Sequence, residues 1–142
     1  LQSGEVDILS RNTTWTITRD TSLGLNFVGI NYYDGQGFMV TKKRKVKSAT
    51  QLNGAAVCVQ AGTNTELNLA DYFRANNMKF KPAVIEKLEE VLNAYFAGRC
   101  DVYTTDVSGL IAARVSRAAN PPGGYFQGTL RTGRATRRRS LV

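Results

Sequence analysis

The chain has no histidine and only two cysteines among its 142 residues. Without histidine, neither a His/Cys metal site nor a Cys–His catalytic pair can be assembled from this chain alone. No apolar run approaches the roughly 20 residues that a membrane-spanning helix needs. No basic-then-apolar export signal opens the chain, which begins on Leu1 rather than Met. Acid is missing from the far end: after Asp106 come seven arginines and no carboxylate side chain. Up to Asp106, twelve Lys plus Arg stand against eleven Asp plus Glu, so most of the net charge of +8 belongs to the tail. That distribution argues against a nucleic-acid-binding domain, and no nucleic acid is expected as a partner.

What is present suffices for one modest domain with its own core. Cys58 and Cys100 both fall in or beside predicted strands. Two unrelated buried thiols and a bridge between neighbouring strands are both open readings. A bridge would contribute about 4 kcal/mol by the chain-entropy argument and would imply an oxidising compartment.

In chain order, Leu1–Gly4 reads as the tail of a helix and Val6–Leu9 as a short strand. Ser10–Thr18 is a hydroxyl-rich loop, commonly just a solvated turn. Arg19, five residues after Thr14, can join that threonine in holding a carboxylate through a two-pronged hydrogen bond. Leu25–Ile30 and Gln36–Thr41 are extended segments separated by Tyr33-Asp34-Gly35. Lys42–Lys47 resembles a nuclear-import signal but reads as a solvated loop. Ala49–Leu52 is a helical turn.

Strands and helices then alternate. A strand runs from Ala55 to Gln60, and a helix from about Thr63 to Asn76 with Leu69, Tyr72 and Phe73 on its apolar face. Lys79–Ile85 is extended, with Pro82 disfavouring a central position. Glu86–Ala97 is a helix whose stripe is Leu88, Val91, Leu92, Tyr95 and Phe96, stopped by Gly98. Asp101–Thr105 is a strand and Val107–Ser116 a helix. This alternation predicts an α/β layer built on a mainly parallel sheet.

Thr63 and Glu66 have capping-box spacing, with Glu66 expected to reach back to the Thr63 amide. The remaining first-turn amides would then be available to an anion, although an ordinary capped helix has the same sequence. Thr63 lies five residues past Cys58 and Asp106 six past Cys100. If the two strands are bridged and parallel, Thr63 and Asp106 emerge together at the carboxyl edge, where α/β sheets bind ligands. Donors for an anion beside one carboxylate for a cation match the two charges of an amino-acid zwitterion. Asp106 can equally be the N-cap of the following helix.

The chain resembles the periplasmic substrate-binding proteins (family 3 solute-binding proteins) of general and polar amino-acid ABC importers. The resemblance is carried by Gln2-Ser-Gly-Glu-Val-Asp, by Leu9-Ser-Arg-Asn-Thr-Thr-Trp-Thr with Arg19-Asp20, and by Gly35-Gln-Gly-Phe-Met-Val. It continues through Gly62-Thr-Asn-Thr-Glu-Leu-Asn and Gly98-Arg-Cys-Asp-Val-Tyr-Thr-Thr-Asp, and covers Leu1 to about Ala113. It implies a type II binding-protein fold of two hinged lobes, with most of the first lobe absent from this chain. On that pattern, 1–24 is a remnant of the first lobe, 25–41 holds hinge-crossing strands and 42–118 is the second α/β lobe. Thr14 and Arg19 would hold the substrate carboxylate, with Thr63, Asn64 and Thr65 assisting, and Asp106 would take the ammonium. A Cys58–Cys100 pair is also a trait of the general amino-acid branch. The resemblance implies a periplasmic location, a small-molecule amino acid and a membrane ABC permease as partners, no cofactor and no enzymatic step. Lacking most of one lobe, the chain is expected to bind amino acids weakly or not at all.

The segment 119–142 departs from the family and reads as a disordered basic tail or an out-of-frame one. With permitted codons, a one-nucleotide shift of Tyr125–Ser140 yields T-S-K-E-P-S-G-P-V-V-R-Q-G-D-D-A, similar to the family's returning hinge segment. Two other functions share the fold. A cyclohexadienyl-dehydratase-like lyase would need a catalytic group besides Asp106. The effector domain of a transcription regulator would not ordinarily keep a strand-linking disulfide.

Overall fold

The computed structural model describes residues 1–116 and 125–129. They group into two compact units, one over Leu1–Asp34 and one within Gly35–Arg134. The break falls inside the 25–41 segment expected to carry crossing strands.

The first unit holds one short helix, α1 (Ile17–Thr21), which begins where the sequence predicts only a hydroxyl-rich loop over Ser10–Thr18. Its start is set by Thr16, whose hydroxyl accepts from the Arg19 amide at 3.2 Å. Leu1–Gly4 is a turn closed by the Gly4 amide on the Leu1 carbonyl at 3.0 Å, not the end of a helix. Val6–Leu9 and Leu25–Ile30 carry strand-like patterns but form no strand. A strand exists only when a neighbour completes its hydrogen bonds, and among the described residues neither segment has one.

The second unit is built on β1 (Gln36–Thr41), β2 (Ala56–Gln60), β3 (Lys81–Ile85), β4 (Val102–Asp106) and β5 (Tyr125–Thr129). They form one sheet in the order β3-β2-β4-β1-β5. β3, β2 and β4 run parallel, as the alternation predicts, whereas β1 pairs antiparallel with both β4 and β5. The sheet is therefore mixed. β5 lies within 119–142, a segment whose sequence predicts a disordered or out-of-frame tail. Tyr125-Phe126 supplies the aromatic strand propensity, and β1 supplies the ladder. The rest of that segment lies outside the described residues. Pro82 sits on β3, at the sheet's edge, where a proline is tolerated.

Three helices cover the sheet: α2 (Asn64–Ala75), α3 (Leu88–Phe96) and α4 (Val107–Ser116). Strand periodicity divides the core in two. Phe38, Val40, Val57, Val59 and Val102 pack with Leu69 and Phe73 of α2 on one face. Met39, Cys58 and Tyr103, which alternate with them, pack with Val91 and Tyr95 of α3 and Leu110 of α4 on the other. Coverage on both faces explains the near-continuous apolar runs of β1 and β2.

Both α2 and α3 end in the same way. Gly98 (φ 76°) follows α3, its amide reaching the Tyr95 carbonyl while the Arg99 amide reaches Ala94, both at 3.0 Å. After α2, Asn77 (φ 52°) takes the glycine's place, and the Met78 amide bonds the Phe73 carbonyl at 2.8 Å. These turns aim each chain end back into the next strand.

Candidate functional site

The candidate site residues of the second unit collect where β2 and β4 end. Register sets this: Val57 stands level with Val102 and Cys58 with Tyr103, so both strands point their carboxyl ends the same way. Cys58 and Cys100 are bridged, with their Cα atoms 5.7 Å apart, on the α3/α4 face of the sheet. The bridge fastens the start of β4 to the middle of β2.

Beyond β2, Gly62 turns the chain with φ 67° and Thr63 caps α2. The Thr63 hydroxyl donates to the Gln60 carbonyl at 2.7 Å and accepts from the Glu66 amide at 3.2 Å. Glu66 completes the cap one residue earlier than expected: its Oε2 accepts from the Gly62 amide at 2.9 Å, not from Thr63. The left-handed turn at Gly62 brings that amide round to the carboxylate. By helix geometry the amides of Asn64 and Thr65 have no intrahelical acceptor, and the dipole adds partial positive charge there.

Asp106 ends β4 and stands opposite Gln36 across the β1–β4 ladder. The next residue, Val107, opens α4, and its amide donates to the Gly35 carbonyl at 2.8 Å. Gln36, absent from the sequence-based set, ties the two halves of the site together. Its Nε2 donates to the Thr65 carbonyl at 3.1 Å and to the Thr104 hydroxyl at 3.0 Å. The Thr104 hydroxyl, fully buried, in turn donates to the Gly37 carbonyl at 2.8 Å. One glutamine side chain thus spans from the first turn of α2 to the middle of β4. The available signal was a polar residue at the threshold of the apolar run Phe38–Val40.

Two buried polar atoms here have no protein partner, Gln36 Oε1 and Asn64 Nδ2. One is an acceptor and one a donor, and burial makes leaving both unpaired costly. Nearby, burial raises the Tyr103 phenol above the usual tyrosine value of 10.0; a hydrogen bond with Thr105 lowers it in part, and the Asp106 carboxylate raises it further. Among the described residues, no group of three His, Cys, Asp or Glu side chains could hold a metal ion.

Thr14 and Arg19 lie in the first unit, where Arg19 Nη1 donates to the Thr14 carbonyl at 2.7 Å. That bond brings the guanidinium to the threonine. Thr63, Asn64, Thr65 and Asp106 belong to the second unit.

No protein-family model matches the chain. Over 116 residues it is 67% identical to the General L-amino acid-binding periplasmic protein AapJ of Rhizobium johnstonii. Over the same length it is 58% identical to the Glutamate/glutamine/aspartate/asparagine-binding protein BztA of Rhodobacter capsulatus. Each match takes in 82% of this chain and 34% of the relative. Among solved structures, a periplasmic binding protein from Brucella ovis with glutathione bound superposes with a TM-score of 0.84 at 62% identity, covering 89% of this chain and 40% of that one. An ancestral arginine-binding protein bound to arginine follows at 0.73 and 26% identity, over 92% of this chain and 55% of its own. By sequence the chain is similar to the periplasmic amino-acid-binding proteins of ABC transporters and it has a type II binding-protein architecture, while spanning about a third of the length of the curated relatives it matches.

Proposed function

We propose that the chain serves amino-acid capture for an ABC importer and carries out no covalent chemistry. The α2 first turn, through the Asn64 and Thr65 amides and the Thr63 hydroxyl, holds the substrate carboxylate. Asp106 holds the ammonium. Thr14 and Arg19 enter this reading as a second carboxylate-holding pair. The observation that carries it is the Gln36 bridge, which ties the first turn of α2 to Thr104, two residues before Asp106 on β4. Opposite charges on one small ligand are then met by groups fixed before it arrives, so little ordering cost is left for binding.

The partners are a free amino acid and a membrane permease, and the compartment is the periplasm. Relatives named as periplasmic support this, as does the Cys58–Cys100 bridge, which belongs to an oxidising environment. The same bridge weighs against a cytosolic regulator's effector domain. The chain, which spans about a third of its relatives' length, is expected to hold a zwitterion loosely, with a dissociation constant of roughly 1 mM or weaker.

Amide NMR titration tests the site. Glutamine or glutamate at high concentration should shift Asn64, Thr65 and Val107, and Asp106→Asn should abolish the shifts while leaving the spectrum folded. Shifts confined elsewhere, or unaffected by that substitution, would sink the assignment. Tight, saturable binding by calorimetry would contradict the expected weakness.

A further inference from the structure

The basic run 42–47 is not used by the binding reading, and its place in the fold gives it a use. Asp101, just before β4, donates its amide to the Ala56 carbonyl at 2.8 Å and accepts from the Ala56 amide at 2.9 Å through Oδ2. Ala56 in turn stands level with Lys81 on β3. One step beyond the Val40–Val102 pair, Thr41 stands level with Asp101. Lys81, Ala56, Asp101 and Thr41 therefore form one row across the sheet, roughly 14 Å long at about 4.8 Å per strand. This row lies at the end of the strands away from Thr63 and Asp106.

Cations gather along it. Lys42, Lys43, Arg44, Lys45 and Lys47 leave one side of the row and are all exposed; Lys79 and Lys81 enter at the other, also exposed. Asp101 is already engaged, forming an ion pair with Arg44. The unit's acids in the first turns of α2 and α3, together with Glu86 and Asp106, sit at the opposite end. The unit is thus electrically polarised along its strands.

The run is also held in place. Lys42–Arg44 is a single 3-10 turn, ended by Lys45 at φ 50°. Val46 packs into the core beside Ala49, and the Gln51 side chain accepts from the Lys47 and Ser48 amides at 2.8 and 3.2 Å. The ammonium groups are therefore displayed from a fixed backbone, with only side-chain freedom to lose on contact.

We infer that this end of the second unit is a docking face for an anionic lipid surface. Dispersed lysines suit an array of phosphate headgroups, to which each acts as a point charge. Protein interfaces are commonly centred on buried aromatic or arginine anchors, and the run's own arginine, Arg44, is already paired with Asp101. Among the described residues, none of the exposed large apolar side chains falls within 41–54, 77–82 or 97–101. With that face on the headgroups, the carboxyl ends of β2 and β4 point away from them.

Vesicle co-sedimentation of the full chain tests this, using phosphatidylcholine alone and an equimolar mixture with phosphatidylglycerol. Binding should require phosphatidylglycerol and fall with salt. Replacing Lys42, Lys43, Lys45 and Lys47 by Gln together should weaken it by roughly a hundredfold or more, with an unchanged urea midpoint. Replacing Arg137, Arg138 and Arg139 by Gln should leave most of the binding in place. The inference is overturned by equal binding to both vesicles, by no loss in the four-lysine variant, or by loss in the arginine variant alone. Binding to polyglutamate but not to vesicles would overturn it in favour of an acidic protein partner.

Discussion

Gln36 and Asp106 stand opposite one another across the β1–β4 ladder, yet the glutamine side chain turns aside to bridge Thr65 and Thr104. The ladder thus sets where the bridge begins, and the bridge sets where the first turn of α2 lies. Substituting Gln36 by Ala removes two hydrogen bonds. The expected loss is about 1–2 kcal/mol in urea unfolding, with faster hydrogen exchange at the α2 amides than at α3. An unchanged exchange pattern would show that the bridge does not hold the turn.

Thr63 is both the cap of α2 and a link back to β2. Thr63→Ala should cost about 1 kcal/mol, and Thr63→Ser should recover most of it, because the serine hydroxyl makes the same two bonds. Denaturant midpoints of the three proteins decide the matter.

The Cys58–Cys100 bridge closes a loop with a sequence separation of 42. Reduction, or replacement of both cysteines by alanine, should lower stability by about 2–4 kcal/mol. A non-reducing thiol assay on the native protein should find no free thiol.

Tyr103 gives the unit an alkaline limit. Burial raises its pKa in the folded state above the ordinary 10.0, so the folded form holds its proton more tightly than the unfolded form does. Its contribution is complete below pH 10 and is lost as pH climbs from there through the raised value. Tyr103→Phe should flatten this loss in a pH series of unfolding midpoints.

Gly98 has open space around it, so only its backbone angle resists a side chain there. Gly98→Ala should therefore destabilise by about 1–2 kcal/mol through left-handed strain alone.

Much of the second unit was legible because its elements announce themselves locally. Leu69 and Phe73, or Val91 and Tyr95, recur at helical spacing, and Thr63 and Gly98 mark ends by their own chemistry. Thr63 and Asp106 could be placed at the carboxyl edge of the sheet from their positions at or just past strand ends. Gln36 could not, since its reach depends on how β1 registers against β4, a pairing between residues nearly seventy positions apart that no window reveals. Glu66 was assigned the right role with the wrong amide, because the turn at Gly62 has no counterpart in spacing. In the first unit, the patterns at Val6–Leu9 and Leu25–Ile30 misled for a different reason: alternation describes a segment, whereas a strand is a property of pairs.

Lys81 turns its amide inward to Ala55, so by alternation the next residue on β3, Pro82, presents its nitrogen to the outside. That nitrogen bears no hydrogen. A stray extended peptide seeking to join the sheet along this margin would meet a missing rung at the second of five positions, with Lys81 beside it. The fold is thereby guarded against unwanted self-association along β3, whatever company the protein keeps at its other surfaces.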